Sequence, residues 1–177
     1  MCIRDRWKSD GTASGTVMVK DISVASSPNA NDITAVGNTI YFTANDGING
    51  IELWKSDGTT SGTVMVKDIR PSASSSPGSL TATGNTFFFK ANDGTNGEEL
   101  WKSDGTAAGT VMVKDINSGT FSSTPQDITA VGNTIYFRAT DGTNGNELWK
   151  SDGTASGTVM VKDIRSGSVA SSANHLT

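Results

Sequence analysis

The string Trp-Lys-Ser-Asp-Gly-Thr begins at Trp7, Trp54, Trp101 and Trp149, at intervals of 47, 47 and 48 residues. A fixed period of this size marks one supersecondary unit copied in tandem, each copy too small to bury its apolar surface without its neighbours. The copying is close, since residues 7–22 and 149–164 are identical. The period divides the chain into a partial copy at 7–32, complete copies at 33–79, 80–127 and 128–175, and the start of a further copy at 176–177.

Each copy reads as four strands. In the 33–79 copy, an apolar stretch at 33–36 is closed by the turn signal Gly37-Asn38. Residues 39–44 then alternate, with Ile40, Phe42 and Ala44 on one face and Thr39, Tyr41 and Thr43 on the other. Asn45-Asp46-Gly47 is a strong hairpin signal; it leads to a third strand at 52–56, a turn at 57–62 and a fourth strand at 63–69. No segment carries a helical period, and β-branched residues and glycines disfavour helix throughout.

Pairing Ser56 with Thr63 across the turn places Trp54 opposite Met65 and Glu52 opposite Lys67. The same ladder pairs Trp101 with Met112, Glu99 with Lys114, Trp149 with Met160, and Glu147 with Lys162. One register thus predicts a sulfur–aromatic contact and an opposite-charge pair in every copy, each worth roughly 0.2–1 kcal/mol. Phe42, Trp54 and Met65 fall on one face, and Leu53, Val64 and Val66 on the other. A sheet apolar on both faces must be covered on both, and without helices the cover has to be the neighbouring copies. The expected fold is all-β: tandem four-stranded antiparallel blades stacked as a partial, open β-propeller. An open stack or a β-solenoid is the alternative, although solenoid coils usually use fewer residues per turn. An open arc would expose apolar faces at both ends, so a chain of this length is expected to oligomerise or aggregate on its own.

The ends need separate treatment. Residues 1–6, Met-Cys-Ile-Arg-Asp-Arg, resemble the translation of a transposon end used in sequencing libraries, and Asp5-Arg6 stands where the repeat calls for Glu-Leu. The stretch is read as a non-native leader, which sets aside Met1 and the sole cysteine, Cys2, and leaves the redox compartment open. The chain carries 14 Lys and Arg against 18 Asp and Glu, a net charge of −4, without a basic cluster. That balance argues against nucleic acid as a partner, and no apolar run approaches the roughly 18 residues of a membrane span, so membrane insertion is not expected.

The segments 52–59, 99–106 and 147–154, each reading Glu-Leu-Trp-Lys-Ser-Asp-Gly-Thr, resemble the bacterial ELWxxDGT repeat family. The surrounding pattern agrees, with Asp46-Gly-Ile-Asn-Gly before the motif and Gly62-Thr63 and Lys67-Asp68-Ile69 after it. The resemblance runs from Trp7 onward. It implies long tandem arrays in large secreted or cell-surface bacterial proteins with propeller-like folds, and it implies no catalytic activity and no defined ligand.

Candidate sites are weighed against roles in the fold. Trp54, Trp101 and Trp149 could form a sugar-stacking platform, but their recurrence opposite methionine favours blade packing. Asp57-Gly58-Thr59 and its copies at Asp104 and Asp152 have the look of an acidic ligand loop, yet an Asx-type turn accounts for them better. Asp46 with Asn49, Asp93 with Asn96 and Asp141 with Asn144 offer oxygen ligands at short spacing, which makes calcium conceivable, although the spacing is not that of an EF-hand loop. Asp68, Asp115 and Asp163 are expected to accept backbone hydrogen bonds that lock one blade to the next. The single histidine, His175, lies outside the repeat pattern, and no nucleophile–base set, phosphate loop or metal-binding histidine cluster can be assembled. The expected function is therefore a non-enzymatic scaffold or multivalent adhesion module. Its partners are the neighbouring repeats and an extracellular glycan or protein, and it needs no cofactor. Two alternatives stand beside it: a fragment of a polysaccharide-acting propeller enzyme whose catalytic residues lie elsewhere, and a calcium-stabilised structural array.

Overall fold

The computed structural model describes residues 5–23 and 30–171. Residues 1–4 of the leader, with Cys2, and the 172–177 end, with His175 and the start of a further copy, lie outside the described residues. Within them the chain forms β-strands and turns and no helix, hence no helix long and apolar enough to cross a membrane.

The strands build four antiparallel sheets among the described residues. A two-stranded sheet comes first, β1 (Asp5–Lys8) with β2 (Val17–Asp21). Three four-stranded meanders follow. The first contains β3 (Asn31–Val36), β4 (Thr39–Asn45), β5 (Ile51–Ser56) and β6 (Val64–Lys67). The second contains β7 (Gly78–Thr83), β8 (Thr86–Asn92), β9 (Glu98–Ser103) and β10 (Val111–Lys114). The third contains β11 (Gln126–Val131), β12 (Thr134–Thr140), β13 (Asn146–Ser151) and β14 (Val159–Lys162).

Register is as expected at the tryptophans and differs at the glutamates. Trp54 lies opposite Met65, Trp101 opposite Met112 and Trp149 opposite Met160. One step further the ladder slips, and Lys67 faces Leu53, Lys114 faces Leu100 and Lys162 faces Leu148. The last strand of each sheet carries one extra residue there, a β-bulge that a one-for-one ladder cannot anticipate. The expected pairs Glu52–Lys67, Glu99–Lys114 and Glu147–Lys162 are therefore not formed. Instead the three glutamates are fully buried, and Lys67 and Lys114 point away to the next sheet.

The sheets pack face to face, each covering its neighbour. One face of the first four-stranded sheet, with Phe42, Ala44 and Trp54, packs on Ile22, just past β2 of the two-stranded sheet. Its other face, with Tyr41, Leu53, Val66 and Ile69, packs on Phe87, Phe89, Ala91 and Trp101 of the second sheet. The second sheet repeats the arrangement, placing Phe88, Leu100, Val113 and Ile116 on Ile135, Phe137, Ala139 and Trp149. An aromatic pair bridges the middle junction, with Tyr41 and Phe87 centroids 4.3 Å apart, and Phe89 continues the row on β8 at 5.8 Å from Phe87.

Polar bonds fix the angle between sheets. At one edge the first strands bond directly, as Thr34 Oγ1 donates to Leu80 O at 2.9 Å and Thr81 Oγ1 to Ile128 O at 2.8 Å. At the other side lysines bridge wider gaps onto the turn carbonyls of the next copy. Lys8, Lys55 and Lys102 reach Gly58 O, Gly105 O and Gly153 O at 2.7–2.9 Å. Lys20, Lys67 and Lys114 reach Thr63 O, Thr110 O and Thr158 O, each at 2.8 Å. The Lys114 ammonium also stands 6.0 Å from the Trp149 ring centroid. Lys67→Met keeps the apolar stem and removes the charged donor, so it is expected to cost about 1 kcal/mol after discounting for partial exposure. A urea-unfolding midpoint measured beside wild type checks this, and an unchanged midpoint would remove the lysine from the junction's energetics.

Candidate functional site

The repeated acids divide into four sets. Asp57 Oδ1 accepts from Thr59 N at 2.8 Å and from Thr59 Oγ1 at 2.7 Å, while Gly58 takes φ +84. Thr59 Oγ1 in turn accepts from Gly62 N, and Ser56 and Thr63 hydroxyls meet at 2.6 Å to close the loop. Asp104 and Asp152 repeat these bonds. The Thr59, Thr106 and Thr154 hydroxyls, followed by their amides, hold these three carboxyls below the ordinary range. They close turns as Asx-type caps.

The hairpin residues are likewise engaged. Asp46 Oδ1 accepts from Ile48 N and Asn49 N, and its Oδ2 accepts from Asn49 Nδ2 at 2.7 Å. Asp93 with Asn96 and Asp141 with Asn144 do the same. Partial burial raises the Asp46, Asp93 and Asp141 carboxyls, but the loop amides outweigh it and leave all three below the ordinary value. Among the described residues no group of three or more His, Cys, Asp or Glu side chains is placed to hold a metal ion.

The buried glutamates hold the crossings between sheets. Glu52 accepts from Ile69 N at 3.0 Å, Ser75 N at 2.9 Å and Ser75 Oγ at 2.6 Å. Glu99 repeats the set with Ile116 N, Ser123 N and Ser123 Oγ. The same linker serines pass their carbonyls onward, Ser75 O to Asn92 N and Ser123 O to Thr140 N. Gly97, at φ +72, lets the linker pass, because a Cβ there would overlap the Phe121 carbonyl. Burial pushes the Glu52 carboxyl up, and Glu99 up to about 7, despite the pull of the serine hydroxyls and linker amides.

Asp68, Asp115 and Asp163 do not lock sheet to sheet as expected. Each has a buried Oδ1 without a partner, and Asp115 Oδ2 accepts from Gly119 N in its own copy. The nearby amides of Ile69 and Ser75 donate to Glu52, and Asp68 adds charge repulsion to that glutamate.

A cleft that sequence reasoning missed lies where the first strands meet. β3, β7 and β11 each carry a bulge, and the residue inside it is left-handed without being glycine: Asp32 at φ 50, Ser79 at φ 57 and Asp127 at φ 52. Such a conformation costs on the order of 1–3 kcal/mol at each position, and it recurs at three equivalent places. Together with Ile33, Leu80 and Ile128 these residues line a concavity of about 330 Å³. Asp32 and Asp127 are exposed, and Arg138 Nε meets Asp127 Oδ2 at 2.9 Å. Carboxylates, a hydroxyl and bulged backbone suit a hydroxyl- or amide-rich ligand. The one signal in the sequence was variation, with Asp, Ser and Asp preceding the apolar position of otherwise similar copies.

A second groove, of about 410 Å³, opens at the turn end between the second and third four-stranded sheets, beside Phe88, Lys102, Asp104, Asn133 and Asp152. At the preceding junction the Tyr41 hydroxyl lies against Gly105, whereas Phe88 has no hydroxyl to place against Gly153.

No protein-family model and no curated protein matches the chain. Among solved structures it is similar to the crystal structure of the computationally designed Ika8 protein, with 13% identity and a TM-score of 0.34. The match covers 93% of this chain and 59% of that one, and a score of this size does not establish a shared fold.

Proposed function

We propose that the chain is a non-enzymatic repeat scaffold and multivalent binding module, its sheets the blades of an open β-propeller arc, in a secreted or cell-surface bacterial protein. One observation carries the reading. Most of the acids that recur from copy to copy are engaged in building the fold, as Asp57, Asp104 and Asp152 close turns, Asp46, Asp93 and Asp141 close hairpins, and Glu52 and Glu99 hold linkers. Recurrent identical acids tied up in this way support a framework, since an active site needs unlike groups free to meet a substrate. The blade arrangement is supported by first strands in direct contact and outer strands bridged through lysines, the fan that propeller blades make. Export and surface location rest on the resemblance of the Glu-Leu-Trp motif.

What the fold leaves for a partner is the inner cleft at Asp32, Ser79 and Asp127, whose polar lining fits an extracellular glycan or protein loop. Repetition makes each contact weak and the sum avid. The test is binding of the 177-residue protein to glycans and proteins displayed at low and high surface density. Retention that climbs by tenfold or more with density, without release of new reducing ends, is expected. Release of reducing ends from a bound polysaccharide would replace the scaffold reading with the enzymatic one.

A further inference from the structure

The two outermost sheets each present a face that matches a face already buried inside the molecule. On and just after β14, Val161 is 45% and Ile164 54% exposed, while their counterparts on and just after β10, Val113 and Ile116, are 6% and 7% exposed under the third sheet. Lys150 and Lys162 are exposed, whereas Lys102 and Lys114 at the same positions hold Gly153 O and Thr158 O. On the two-stranded sheet Trp7 is 51% and Met18 49% exposed, yet Trp149, at the same repeat position, is 6% exposed.

These faces are complementary over the last two strands of the repeat, because the inner junctions already join the same residues there; among the described residues β1–β2 has no counterpart of the Ile135, Phe137 and Ala139 strand. Residues 7–22 are identical to 149–164, so Gly11 stands where Gly153 does and Thr16 where Thr158 does. We infer that the outer face of β11–β14 and the Trp7–Met18 face of β1–β2 are the two halves of one further junction, and that a second copy of this chain docks there head to tail. Lys150 Nζ donates to Gly11 O and Lys162 Nζ to Thr16 O of that copy, while Trp7 and Met18 cover Tyr136, Leu148 and Val161. The interface is heterologous, joining unlike surfaces, so it adds chains in one direction until a ring closes or a filament grows. Its apolar part is lined by residues whose counterparts Phe88, Leu100, Val113 and Trp149 are buried in an inner junction, with Met160 partly buried beside them, which is the continuity that selects this occupant over an unrelated protein.

Sedimentation of the full chain across concentration tests the inference. The expected result is mass rising in steps of 18.4 kDa past the dimer, with Trp7 fluorescence shifting to shorter wavelength as assembly proceeds. Two variants block opposite ends: Lys150→Glu with Lys162→Glu spoils one face, and Met18→Asp spoils the other. Each alone should stay monomeric at tenfold higher concentration than wild type, and at dilutions where wild type is monomeric too its melting temperature should equal wild type's, because the altered side chains are exposed. Mixed, they retain one intact face of each kind and should form a heterodimer that grows no further. A wild-type monomer at all concentrations overturns the inference. So does blocked-variant assembly at wild-type concentrations, or a mixture that fails to pair.

Discussion

Replacing Trp101 with alanine is expected to lower stability by about 3–5 kcal/mol, the usual cost of emptying a buried aromatic site. Trp101 is 6% exposed and fills the junction between the first and second four-stranded sheets, where it meets the Phe89 ring at 6.5 Å and shares a cluster with Leu53 and Val66. The hole left behind opens onto both sheets, so the damage falls on their association as well as on one ladder. Two companions separate burial from polarity. Trp101 Nε1 is buried without a partner, whereas Trp149 Nε1 donates to Ala139 O at 3.0 Å. Trp101→Phe, which discards the unpaired N–H but leaves a small cavity, is therefore expected to cost about 1–3 kcal/mol, less than the alanine change. Trp7→Ala, at a ring 51% exposed, should be close to neutral under conditions that keep the chain monomeric. Urea unfolding of the three variants decides it. Equal losses at Trp7 and Trp101 would show that the tryptophans act within their own sheets and not between them.

The tryptophan positions were legible in the sequence for a simple reason. A two-residue period and a fixed turn length determine which residues face each other, and both can be counted, as Trp54 with Met65 illustrates. All-β character and stacked four-stranded sheets followed from the same counting. The glutamates were not legible, because the bulge on β6, opposite the Leu53–Trp54 step, breaks one-for-one pairing without leaving a glycine to mark it. Their partners, Ser75 and Ser123, sit about two dozen positions downstream in Ser-rich linkers that carry no periodic pattern. The lysine tethers were misread for the same reason: an exposed-looking Lys67 reaches a carbonyl of the following copy, 43 positions on. Least legible was the inner cleft, since the left-handed backbone at Asp32, Ser79 and Asp127 is imposed by how three first strands meet.

The second large effect is expected at Glu99. Glu99→Ala leaves the amides of Ile116 and Ser123 and the Ser123 hydroxyl without their acceptor, inside a fully buried pocket. At roughly 1–3 kcal/mol for each stranded group, the loss is expected to reach several kcal/mol and to free the linker joining the second sheet to the third. Ionisation adds a pH dependence. Burial raises this carboxyl from 4.5 to about 7 in the folded protein, so the folded state binds the proton more tightly than the unfolded chain. Glu99 therefore contributes about 3 kcal/mol that is fully present below pH 4.5 and is lost as the pH rises through 7. Glu52 shifts in the same direction and should steepen the decline. The turn and hairpin aspartates act in the opposite sense, but their lowered carboxyls confine that effect to pH below about 4. Unfolding midpoints taken from pH 5 to 8 should fall with rising pH in wild type and fall much less in Glu99→Gln, which keeps the shape and cannot titrate. Parallel curves for the two proteins would mean that Glu99 stays ionised throughout, held as a carboxylate by the linker amides and the serine hydroxyl.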